Sequence, residues 1–142
     1  MAPETPDPDG TPAASPPDGG PAATAPDAVA APEGARELRD IAEVPSVEVI
    51  TTAAVHLMSA AAVKCGLAEG PEAREHLDLA EARVLIGALA GLVTAAAPDI
   101  GNQHARALRD GLRSLQLAFR EASVVPDPPG QGPGERLTGP AR

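Results

Sequence analysis

Three central segments of this chain place apolar residues at helical spacing, and the two ends carry no such period. Val47, Ile50, Ala54, Leu57, Met58, Ala61 and Cys65 form one stripe that predicts a first helix over residues 46–65. Pro45 suits the start, where a missing N–H costs nothing. Gly66 is a natural left-handed stop, and Lys64 in the last turn complements the helix dipole. Outside the stripe this helix remains apolar at Val49, Ala53, Ala60 and Val63, with His56 among them. A helix that is apolar nearly all round must be covered nearly all round. Two partner helices in a small monomer leave one side bare. The pattern therefore predicts a homo-oligomer, with Val49, His56 and Val63 as contacts and His56 in a buried or interface position.

A second helix is predicted over 79–97. Asp78 followed three residues later by Glu81 reads as a capping box, and Ala82, Leu85, Ile86, Leu89, Leu92, Val93 and Ala96 make the apolar face. Gly87 and Gly91 lie on another side at the four-residue spacing that lets helix backbones approach. Each mid-helix glycine costs about 1 kcal/mol relative to alanine, so a close helix contact is the expected compensation. Pro98 is expected to end the helix. A third helix is predicted over 103–122, capped by Asn102 or Asp99. Its core face is Leu108, Leu112, Leu115, Phe119 and Ala122. Arg106, Arg109, Arg113 and Arg120 run along the opposite side, the one basic concentration in the chain.

Between these elements, Ala35–Glu43 predicts one or two helical turns, separated from the first helix by Pro45. Glu69–Glu72 reads as a linker that begins a short turn through His76. The result is an all-α reading: a small three-helix bundle within residues 36–125. Residues 1–35 contain nine prolines and four glycines. That composition buries too little to offset chain ordering, so a disordered arm is expected. Residues 126–142 are Pro/Gly-rich and are expected to form a disordered tail.

Charge narrows the choice of partners. The net charge is −9 over 142 residues, which leaves room for one domain. Residues 1–35 hold six acids and no base. Such a chain suits phosphate backbones poorly, and Phe119, its lone aromatic residue, offers no platform for stacked bases. Nucleic acid is disfavoured as a partner. The single cysteine, Cys65, excludes an intramolecular disulfide and reads as a small core residue. No basic start followed by an apolar run marks a signal peptide, so a cytoplasmic location is expected. Only 15 residues separate Glu48 from Lys64, and 15 separate Arg83 from Asp99. A membrane span wants about 20 strongly apolar residues, so a membrane is disfavoured too.

The sequence offers little chemistry. His56, His76, His104, Asp99 and Cys65 do not fall at metal-ligand spacing, and Glu72 with His76 is too common a pairing to be diagnostic. No nucleophile elbow, phosphate loop, dinucleotide glycine pattern or zinc-protease motif is present. The expectation is a non-enzymatic protein with no catalytic residue, metal or cofactor. Its first reading is an oligomeric scaffold or protein-interaction module with an unknown protein partner. A ribosome- or RNA-associated accessory factor using the arginine stripe, and a membrane-associated helical protein, are the alternatives.

Several blocks, in order, resemble a known family. They are Arg39-Asp-Ile-Ala-Glu-Val-Pro45, Glu48-Val-Ile-Thr-Thr-Ala-Ala-Val-His-Leu-Met58, Asp78-Leu-Ala-Glu-Ala-Arg83, the Leu85-Ile86 and Ala88-Leu89 pairs, and Arg109-Asp-Gly-Leu-Arg-Ser-Leu115. Over roughly residues 36–135 the chain resembles the bacterial domain-of-unknown-function family numbered 1844, in its actinobacterial form. The resemblance implies a small all-helical domain and transfers no catalytic residues. It also carries an association with genes near translation factors and ribosomal proteins.

Overall fold

The computed structural model describes Ala35, Leu38 and residues 41–142. The chain divides into residues 1–44 and 45–142. In the first unit, Ala35, Leu38 and Ile41–Glu43 are helical and exposed, as the short turn predicted from the sequence requires. The expected disorder of residues 1–35 falls, apart from Ala35, outside the described residues.

The second unit is built from three long helices. Helix α1 runs Ser46–Lys64, α2 runs Leu79–Ile100 and α3 runs Asn102–Ala122. A short fourth helix, α4, runs Glu135–Thr138. No strand occurs among the described residues. The core is the shared interior of α1, α2 and α3. Ile86, Leu89, Leu112 and Val93 are its largest fully buried side chains. Val47, Ile50, Leu57 and Met58 of the α1 stripe pack against it. The stripe predicted for α3 is also the buried one: Leu108, Leu112, Leu115 and Phe119 all face inward.

Local chemistry fixes where α1 stops. Gly66 adopts φ +84°. From there Leu67 N–H reaches Ala62 O at 3.0 Å, and Gly66 N–H reaches Val63 O at 3.0 Å. These paired bonds satisfy carbonyls that a bare helix end would leave open. A side chain at position 66 would be strained and would press on Leu77 Cδ1 at 3.3 Å. A 3-10 turn, Ala73–His76, then leads to α2. Asp78 N–H bonds back to Lys64 O at 2.8 Å, which closes this connection. Asp78 caps α2 through its side chain, accepting from Glu81 N–H at 3.1 Å; this is half of the predicted capping box, since the Asp78 N–H is taken by Lys64 O rather than by the Glu81 side chain.

Three features depart from the sequence reading. Helix α2 does not end before Pro98 but continues to Ile100. A proline removes its own N–H and crowds the carbonyl one turn back, a cost confined here to the last turn, where Ala96, Ala97 and Ile100 are buried. Helices α2 and α3 meet across a single residue, Gly101, at φ +88° and ψ 150°. Neither Asn102 nor Asp99 caps α3, which begins without a side-chain cap.

The third departure is the largest. Residues 126–142, expected to be a disordered tail, lie as an ordered strap along α2 and α3. Asp127 pairs with Arg83, Gly134 rests on Ala90, and residues 137–141 lie beside Val93, Thr94, Arg109 and Arg113. The strap therefore runs parallel to α2 and antiparallel to α3. The globular unit is 45–142, not 36–125.

Candidate functional surfaces

Four surfaces hold the residues that the sequence singled out. The first is the outer side of α1. Only Ala54 and Ala61 of this helix are fully buried. Val49, Val55 and Val63 remain 43%, 55% and 37% exposed, and Thr52, Ala53 and Ser59 are exposed beside them. His56 stands in the same exposed row. Of the two positions expected for His56, buried or interface, its own chain does not bury it: the core stripe of α1 is narrow, and His56 points away from it. The bare side predicted for this helix is present in the single chain.

The second surface is the outer flank of α2. Gly87 and Gly91 do not mark a close helix crossing within the chain. A Cβ built on either would meet nothing within 4 Å. The buried small residues of α2 are alanines instead, at Ala82, Ala90 and Ala97. The tight approaches involve other glycines. A Cβ at Gly111 would meet Met58 Cε and Sδ at 2.8 Å, and one at Gly134 would meet Ala90 Cβ at 2.6 Å.

The third surface carries the arginines. Arg106, Arg109, Arg113 and Arg120 are all exposed, in agreement with an outward stripe. None of them makes an ion pair among the described residues. The pair that does form uses Arg83. Its guanidinium meets Asp127 Oδ2 at 2.8 Å and sits 4.9 Å above the Phe119 ring centroid. The stripe is also divided. Arg109 and Arg113 line a cavity of about 450 Å³ with Asp110, Thr94, Val93, Leu112, Gln116 and residues 137–141. Arg120 lies at a separate, far smaller cleft with Asp127 and Glu135.

The fourth surface is the seat of the strap, which hinges on two polar residues that sequence reasoning missed. Gln116 is only 4% exposed and lies on the apolar side of α3. Its amide donates to Pro133 O at 3.0 Å and to Thr138 Oγ1 at 3.1 Å. Glu135 is 8% exposed. Its Oε1 accepts from Gly130 N–H at 3.0 Å and from Gly132 N–H at 2.9 Å, and its Oε2 accepts from Ala141 N–H at 2.7 Å. A buried carboxylate satisfied by three backbone donors folds the strap onto itself. The signal available in the sequence was Gln116, a polar residue between Leu112 and Phe119 on an otherwise apolar face.

The remaining candidates stay apart. His76, Glu72 and His104 are exposed. Among the described residues no group of three His, Cys, Asp or Glu side chains converges as a metal site would require. Cys65 is buried, and burial pushes its thiol pKa up. A thiol held protonated is a poor nucleophile, which fits the core role read from the sequence.

No curated protein and no solved structure matches the chain. One family does, over residues 46–121, which spans α1 to the last turn of α3 and lies inside the 36–135 range read from the sequence blocks. The Arg39–Pro45 block and the strap fall outside that match. The match covers more than half of the chain, and on it the chain belongs to the family described as Domain of unknown function (DUF1844).

Proposed function

We propose that this domain is a non-enzymatic interaction module working in the cytoplasm, and that the bare side of α1 seats a second copy of the same chain. The supporting observation is the exposed row Val49, His56 and Val63, at seven-residue spacing on a helix whose opposite stripe is already occupied by the core, with Val55 exposed on its flank. Scattered exposed apolar residues are ordinary, whereas positions that recur every seven residues, with Ala53 and Ala60 beside them, stay on one side of the helix. His56 in the middle of that row supplies a polar contact.

Geometry sets the strength. A helix of 19 residues is about 28 Å long. A face about 10 Å wide then offers roughly 300 Å² per copy, well below the ~800 Å² of a standard interface. The pairing is therefore weak and depends on concentration. Sedimentation equilibrium from about 10 μM to about 1 mM reads it directly, since small interfaces belong to that affinity range. The expected result is a monomer–dimer equilibrium that Val55→Glu shifts to monomer without lowering the melting temperature. A chain that stays monomeric across the range, or a Val55→Glu variant that associates unchanged, overturns the reading.

One observation favours a second reading. Both α1 and α2 are long and apolar enough to cross a membrane by length and composition. Flotation with neutral phosphatidylcholine vesicles tests for a lipid-facing role. Co-flotation abolished by Val55→Glu would assign the same α1 face to lipid.

A further inference from the structure

The cavity between α2, α3 and the strap combines three properties of a ligand site. Its volume, about 450 Å³, lies in the range that accommodates small organic molecules. Its lining is apolar at Val93, Leu112, Leu137 and Pro140. Two cations, Arg109 and Arg113, stand one helical turn apart at its edge, so both can address one bound group. Neither guanidinium has an ion-pair partner among the described residues, even though Asp110 lies between them in sequence. Asp110 lines the same cavity, so its wall carries two guanidinium groups against one carboxylate, a net positive edge for an incoming ligand.

We infer that this cavity binds a small organic oxyanion: a carboxylate or phosphate monoester carried on an apolar body. Guanidinium forks hold planar or tetrahedral oxyanions through paired N–H donors. The hydroxyl of Thr94 adds a donor at the same cavity, whereas that of Thr138 is committed to the strap, donating to Gly139 O at 3.0 Å and accepting from Gln116. The apolar body of the ligand lies against Val93, Leu112, Leu137 and Pro140. The strap supplies one wall, so the site exists only while Glu135 and Gln116 keep residues 130–141 seated. This inference is independent of self-association, because none of the cavity residues belongs to α1.

Amide chemical-shift titration of the full chain tests it. Phenyl phosphate and phenylacetate are the two anionic probes, and benzyl alcohol is the neutral control. Both anions are expected to produce saturable shifts at Thr94, Arg109, Arg113 and residues 138–141, with a Kd near about 1 mM for the better one. The tighter of the two identifies the head group as phosphate or carboxylate. Arg109→Gln and Arg113→Gln, both at exposed positions, should each weaken binding about tenfold, the ordinary worth of one charge-assisted pair. Raising the salt concentration should weaken it further. Saturable shifts from benzyl alcohol of equal strength would overturn the inference. So would anion shifts located elsewhere, or shifts that both arginine variants leave unchanged.

Discussion

Replacing Glu135 by alanine removes one acceptor group from three backbone donors at once. The carboxylate holds Gly130, Gly132 and Ala141 at 2.9–3.0 Å and 2.7 Å in a pocket that admits little water. Hydrogen bonds to a charged group are each worth about 1.5–3 kcal/mol. Three of them would sum to about 4.5–9 kcal/mol if each donor stayed buried and unpaired. The strap has a cheaper response, since on leaving the α2–α3 groove its amides reach water. The realised loss is therefore capped by the docking free energy of the strap, about 2–4 kcal/mol, because shared contacts do not add.

The cost should appear locally. Amide hydrogen exchange at Gly130, Gly132 and Ala141 should accelerate about 30- to 1,000-fold, which is the same energy expressed as an opening constant. The cores of α1, α2 and α3 should keep their protection, because Leu89, Leu112 and Phe119 are buried among the helices themselves. Glu135→Gln keeps one carbonyl acceptor and should fall between the parent and Glu135→Ala. Protection at the three amides within about threefold of the parent would refute the argument, since no kilocalorie-scale bond can vanish so quietly.

Other consequences follow from the same geometry. Gly91→Ala places a methyl in open space on a helix and should stabilise by about 0.5–1 kcal/mol, seen as a thermal midpoint several degrees higher; no change or a loss would mean that a neighbour occupies that flank. Gly134→Ala should cost about 2–3 kcal/mol in urea unfolding, because φ is +76° and the new Cβ would fall 2.6 Å from that of Ala90. The raised thiol of Cys65 makes stability fall in alkali. The folded chain holds this proton to higher pH than the unfolded chain, so the contribution is complete below the unfolded thiol's pKa and is lost as pH rises through the folded one. Cys65→Ala should flatten the stability curve above about pH 8.5, and a curve of unchanged slope would count against it.

The helices were legible because their signals are local. The Asp78–Glu81 spacing, the Gly66 stop and the Leu108–Leu112–Leu115–Phe119 stripe each act within a few residues, and each reappears in the fold. The strap was not legible because it is held by tertiary polar contacts rather than by periodicity. Its prolines and glycines correctly announce the absence of long regular structure. They say nothing about whether a buried glutamine 17 residues earlier will bond to Pro133 O. Gly87 and Gly91 misled for a related reason. Spacing shows which residues share a side of a helix but not what lies opposite, and here it is open space. The arginine stripe was read correctly as exposed, yet its division into a cavity pair and two outliers depends on the return path of residues 137–141.

The stacking of Arg83 over Phe119 has a practical corollary. The chain has one phenylalanine and neither tryptophan nor tyrosine, so 4-fluorophenylalanine incorporation would give a single fluorine resonance. That nucleus would sit under a guanidinium tethered to Asp127, where α2, α3 and the beginning of the strap converge. A single spectral line would then report, in real time and against no background, whether the end of the polypeptide is clasped or free.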